Sequence, residues 1–137
     1  MANALYDKGR EGFLDGSIDW DTDNIKLVLV DAADYTVNLS THDFLDDVPA
    51  GARATNGTSG NFASKAVTAG VADAADVTLT SVSGDPSEAL VIYKDSGAEA
   101  TSRLIAYIDT ATGLPVTPNG GNISIAWDNG ANKIFKL

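Results

Sequence analysis

The sequence contains no cysteine, so no disulfide holds the fold, and thiolate nucleophiles and thiolate metal sites are excluded. Histidine occurs once, at His42. Any imidazole-based acid–base pair or nucleophile–base pair has to pass through that ring. Basic residues are scarce: nine lysines and arginines stand against nineteen acids, for a formal net charge of -10. Such a surface repels phosphate backbones and anionic lipid, which argues against nucleic-acid and membrane binding. The strongest short apolar run, residues 27–30, ends at Asp31, far short of a bilayer span. The first residues show no basic region ahead of an apolar core, so no secretory signal is expected and synthesis is assigned to the cytoplasm. No P-loop, dinucleotide fingerprint or internal repeat is found.

What remains is an ordinary globular composition, 44% hydrophobic and 20% charged over 137 residues, which predicts one domain. Residues 88–137 carry the clearest pattern. Leu104-Ile105-Ala106-Tyr107-Ile108 and Ile123-Ser124-Ile125-Ala126-Trp127 are short, rich in β-branched and aromatic residues, and bounded by turn formers. They read as strands. In the second, Ile123, Ile125 and Trp127 alternate with Ser124 and Ala126, the period-2 signature of a half-buried strand. The link between them turns at residues 111–113 and 118–121, and Pro115 and Pro118 keep it at an edge or outside the sheet. Residues 25–30 and 88–94 are nearly continuous in apolar residues, as central strands are. Residues 35–39, 77–80 and 133–137 are expected as further strands.

Two helical pieces are expected. Leu5, Tyr6, Phe13 and Leu14 fall near one face of a helix within residues 1–16, weakened by Gly9 and Gly12 and closed by Gly16. It either lies on its own sheet or forms an arm that orders against a neighbouring subunit. Ser40 and Asp43 have capping-box spacing, predicting a short helix over 42–47 that stops before Pro49. Residues 50–75 shift to Gly, Ala, Ser, Thr and Asn and predict a long irregular excursion with one strand, around 62–68. Excursions of this kind are usually functional or ordered by a partner. The expected fold is therefore all-β and mainly antiparallel, a β-sandwich or small barrel over 17–137, with a short N-terminal helix and one short internal helix.

Candidates for chemistry are few. His42 lies close in sequence to Asp43 and Asp46, but the expectation is an exposed ring without a catalytic role. Asp19, Asp21, Asp23 and Asn24 resemble the start of a calcium loop, yet Asn24 and Val30 stand where an EF-hand needs Gly and Glu. Only a weak calcium site at Asp19–Asp23 stays open. Asn38, Asn56 and Asn122 begin glycosylation sequons, which carry no weight without secretion. Trp20, Tyr107 and Trp127 offer rings for sugar stacking, although aromatics in strands are more often core. No enzyme activity and no cofactor is expected.

The pattern as a whole resembles a family of small virion structural proteins of tailed bacteriophages. The residues that carry it are Ala4-Leu5-Tyr6 with Gly9 and Phe13, then 25–31, His42-Asp43-Phe44-Leu45, 70–77, 88–93 and 104–109. It continues through Gly113-Leu114-Pro115-Val116, Ile125, Trp127-Asp128-Asn129-Gly130 and Ile134-Phe135. The resemblance implies a capsid decoration (cement) protein, a β-rich subunit on the outer capsid surface of the virion. Its partners would be the major capsid protein and neighbouring copies of itself, as a homo-oligomer on the capsid, with no nucleic acid and no membrane. Alternatives are a tail or head–tail connector protein, or a receptor- or glycan-binding module. The candidate partner interface comprises Leu5, Tyr6, Phe13 and Leu14 of the N-terminal segment, with Arg53 and Phe62 of the excursion.

Overall fold

A computed structural model describes residues 3–137, and all structural statements below concern those residues. They form ten strands, one α-helix and three short 3-10 turns. In order these are β1 (Ala4–Leu5), α1 (Asp7–Asp15), β2 (Ile25–Val30), turns at Leu45–Asp47 and Ala50–Ala52, β3 (Arg53–Thr58), β4 (Ala66–Thr68) and β5 (Val71–Asp73). Then follow β6 (Val77–Leu79), β7 (Ala89–Lys94), a turn at Glu99–Thr101, β8 (Leu104–Ile108), β9 (Ile123–Ile125) and β10 (Phe135–Lys136). Every pairing is antiparallel. The strands make a five-stranded sheet in the order β1-β8-β7-β2-β3, a three-stranded sheet β10-β5-β4, and a two-stranded sheet β6-β9. The fold is thus mostly antiparallel β in three sheets, none of which closes on itself.

The central strands are apolar except for Lys26 in β2 and Lys94 at the end of β7, because both faces of their sheet are covered. On one face Ile25, Leu27, Leu29, Leu90, Ile92 and Ile105 meet Leu79, Ile123 and Ile125 of the β6-β9 sheet, together with Trp20, Phe62 and Trp127. On the other face Val28, Val30, Val91, Tyr93, Leu104 and Tyr107 are covered by Tyr6, Tyr35, Leu45 and Val48 from loops and turns. Alternate side chains of one strand therefore enter different cores, as strand pleating requires.

Four expectations are corrected. Of the two placements expected for the N-terminal helix, the structure shows the one on its own sheet, against β8, but without the expected apolar stripe. Leu5 lies in β1, paired with Ala106 of β8, and Tyr6 precedes the helix. The buried positions of α1 are Gly9 and Gly12. A Cβ added to Gly9 would stand 2.8–2.9 Å from the Ile105 and Leu104 carbonyl oxygens and the Ile105 Cα, so the helix packs backbone against backbone. The two glycines that weaken the helix in isolation are what let it sit on β8. Gly16 closes it with φ 81°, as expected.

The segment 35–39 joins no ladder. Instead it carries buried Tyr35 over the five-stranded sheet. The internal helix shrinks to the 3-10 turn at Leu45–Asp47, because the Asp47 carboxylate draws in the amides of Asp43 and Phe44 and Pro49 follows at once. The stretch 50–75 is no irregular excursion, since it supplies β3, β4 and β5. The β4-β5 hairpin turns through Ala69 (φ 53°) and Gly70 (φ 79°), two positive φ angles in succession, which fits the strand twist.

Candidate docking surface

Large exposed apolar side chains are the informative exceptions on a folded surface. Three occur among the described residues: Leu14 at 88% exposure, Leu137 at 59% and Val67 at 55%. They come from α1, β4 and the residue after β10, yet they gather in one place. A groove of about 270 Å³ is lined by Phe13, Ile18, Trp20, Val67, Phe135 and Leu137, among others. A second groove, about 300 Å³, is lined by Leu5, Arg10, Phe13, Leu14, Lys136 and Leu137. Phe13 and Leu137 belong to both, so the apolar surface is continuous.

Beneath it runs a chain of rings. Phe13 lies 5.9 Å from Phe135, Phe135 5.2 Å from Trp20, Trp20 6.0 Å from Phe62, and Phe62 5.6 Å from Trp127. Trp20 and Trp127 donate their indole N–H groups to the Asp73 and Ala75 carbonyls. This rigid stack fixes the position of β10 and hence of the surface around it.

A further cleft also borders β10. It holds about 380 Å³ between Asn3, Ala4 and Leu5 on one wall and Ile134, Phe135 and Lys136 on the other, and Arg10, Asp128 and Lys133 also line it. Six of the nine basic residues form ion pairs, namely Lys8, Arg10, Lys26, Arg53, Lys94 and Arg103. Lys65 donates to the Asp23 carbonyl. Lys133 and Lys136, the remaining two, have no ion pair among the described residues, and both line this cleft. Lys133 also holds a left-handed backbone, φ 46°, which costs a non-glycine residue about 1 kcal/mol. A strained lysine at a cleft is a feature that function retains more readily than stability does.

The six candidate interface residues fare differently. Leu5, Tyr6 and Phe62 are buried in the chain's own cores, although Leu5 also borders the cleft and the second groove. Tyr6 belongs to the core under the loops, where its hydroxyl meets that of Tyr35 at 2.8 Å. Arg53 is half-buried and engaged, donating to the Leu45 and Val48 carbonyls and pairing with Glu99. Phe13 and Leu14 line the apolar grooves. Val67, Lys133, Lys136 and Leu137 were not identified from the sequence, where no local signal marks them. Only the exposure of β4 and of Leu137, and the absence of ion pairs at the two lysines among the described residues, single them out.

The chemical candidates are occupied by structural contacts. His42 Nδ1 receives the Asn38 N–H at 3.3 Å, so it acts as an acceptor and takes the Tyr35 hydroxyl at 2.9 Å. Tyr35 also stacks on the ring, and burial pushes the Tyr35 hydroxyl up to about 12. Burial likewise raises Tyr6, further still with Tyr35 beside it. No hydrogen bond joins His42 to Asp43 or Asp46 among the described residues.

In the Asp19–Asp23 turn, Asp23 Oδ2 accepts the Asp19 amide at 2.7 Å and meets Lys94 Nζ at 3.1 Å. A hydrogen bond shared by the Asp19 and Asp21 carboxyls raises Asp21 and lowers Asp19. That turn is satisfied internally. Asp31, Asp34 and Asp85 bring carboxylate oxygens within 4.8 Å of one another, but three oxygens fall short of the six to eight a calcium ion takes. Trp20, Tyr107 and Trp127 are buried, which removes them as sugar-stacking platforms.

A scan against family models finds no match for this chain, and no curated protein matches it. No helix among the described residues is long and apolar enough to cross a membrane.

Proposed function

We propose that this protein is a virion structural subunit of a tailed phage, a capsid decoration protein that acts by docking and not by catalysis. The observation that carries the docking reading is the convergence of Leu14, Val67 and Leu137 on one continuous apolar surface above a rigid aromatic stack. Burying such side chains contributes about 1.5–3 kcal/mol each, and a shell repeats the same contact at every lattice position. The resemblance stated for the sequence supplies the partner, the major capsid protein with neighbouring copies of the subunit. On this reading the five-stranded sheet packed on the two smaller ones is a sandwich-type scaffold that presents the surface, outside the shell of the virion.

The test is to add purified protein to expanded empty capsids. It is expected to cosediment with them and raise their melting temperature, whereas a Leu14→Glu/Val67→Glu variant is expected to stay folded and fail to bind. Wild-type protein that neither cosediments with heads nor occurs in purified particles would end the proposal. Copy number separates a shell protein, present in hundreds, from a connector ring.

A further inference from the structure

The cleft beside β10 has three properties that point to one kind of occupant. First, it lies between two open sheet edges. β1 is the outer strand of the five-stranded sheet and pairs only with β8; β10 is the outer strand of the three-stranded sheet and pairs only with β5. Each strand leaves one row of backbone donors and acceptors without a ladder partner, a ready template for another strand. Second, the edges are short. Each strand has only two residues, about 7 Å at roughly 3.3 Å per residue, so each edge pairs with about two residues of an extended segment. Third, the cleft is cationic in a chain of net charge -10. Lys133 and Lys136 lack acidic partners among the described residues, and Arg10 joins them. Arg10 already holds Asp7 at 3.3 Å and the Leu5 carbonyl at 3.3 Å, which leaves the two lysines as the open charges. Asp128 is the one acid lining the cleft.

We infer that this cleft receives an extended acidic segment of a partner chain, added as a strand against β1 or β10 with its carboxylates on Lys133 and Lys136. Strand addition obtains affinity from main-chain hydrogen bonds and specificity from alternate side chains. Alternation directs every second side chain of the guest to one side of the ladder, so the acids belong at alternate positions. The adjoining apolar surface at Leu14 and Leu137 continues from the cleft through Leu5, Arg10 and Lys136. A guest segment with apolar residues beside its acidic part would cover both. This deepens the docking reading and rests on it only for the role of the surface; the charge argument is separate.

The experiment is affinity selection of the full chain against a synthetic pool of random hexapeptides, read by mass spectrometry. The expected result is enrichment of Asp and Glu at alternate positions and depletion of proline, which cannot complete a ladder. A Lys133→Glu/Lys136→Glu variant, shown by circular dichroism to be folded, should lose that enrichment at least tenfold. The selected peptide should weaken as salt rises and should protect the Leu5 amide of β1 or the Lys136 amide of β10 from hydrogen exchange. No enrichment, enrichment of basic peptides, or equal selection by the variant would overturn the inference. Concentration-dependent dimerisation abolished by the same two substitutions would overturn it too, since the occupant would then be a second copy. Acidic peptide selection with no binding to heads would retire only the capsid reading. Head binding indifferent to the lysine substitutions would retire only this one.

Discussion

Replacing Gly9 by alanine puts the packing of α1 to a sharp test. On an exposed helix this change stabilises by about 1 kcal/mol, because alanine loses less backbone entropy. Here the new Cβ would lie 2.8 Å from the Ile105 carbonyl oxygen and 2.9 Å from the Leu104 oxygen and the Ile105 Cα. All three atoms are backbone of a central strand and cannot rotate away. Overpacking of this kind costs about 1–3 kcal/mol and sometimes more, and the upper end applies because no side chain yields. The net expectation is destabilisation by about 2 kcal/mol, the two contributions taken together. In urea that lowers the unfolding midpoint by about 1 M with an unchanged slope. Gly12 serves as the comparison: its added Cβ would meet the tip of the Ile18 side chain and, at 3.1 Å, Arg103 Cδ, both able to move. Gly12→Ala should therefore cost distinctly less. A Gly9→Ala protein as stable as the parent, or more stable than Gly12→Ala, would refute backbone-to-backbone docking of the helix.

Three further outcomes are expected. Deleting residues 1–16 removes buried Leu5 and Tyr6, worth about 3–6 kcal/mol together, so the truncated chain should melt far below the parent in a thermal scan or fail to fold; an unchanged melting temperature would show that the segment is dispensable. Ala69→Asn should stabilise by roughly 0.5–1 kcal/mol, since asparagine tolerates the left-handed backbone of the β4-β5 turn better than alanine, and chemical denaturation checks the sign. All four tyrosines have raised hydroxyls: burial is the first cause in each, with Tyr35 and Tyr93 pushed up to about 12 and Tyr6 and Tyr107 also raised. A raised folded value means stability that is complete below the unfolded value of about 10 and falls as pH climbs from there toward 12. Tyrosinate absorbance at pH 10.5 should thus be lower in the folded protein than in the unfolded chain and rise with unfolding; a normal titration of Tyr35 and Tyr93 in the folded state would contradict the burial.

Elements whose signal is local could be read along the chain. The nearly continuous apolar runs of β2 and β7 announced central strands, that of β8 a strand, and the alternation of Ile123, Ser124 and Ile125 one covered on a single face. Pleating forces that correspondence wherever one residue in two, or every residue, meets a core. Gly16 likewise marked the end of α1, because the left-handed cap is a property of one residue. The strand character of 53–58 and 71–73 was not legible, since its residues are small or polar and become strands only by completing ladders begun by β2 and β10. The burial of Gly9 and Gly12 was hidden for a similar reason. A glycine signals a weak helix to any local reading, and only the approach of another backbone turns the missing Cβ into a contact. Of the proposed docking surface, Phe13 and Leu14 were named from the sequence, and the rest lies on the tertiary side of this division. Leu14, Val67, Lys133, Lys136 and Leu137 come from separate parts of the chain, and their proximity arises from the packing of α1 and β10 around the aromatic stack, which no spacing along the sequence encodes.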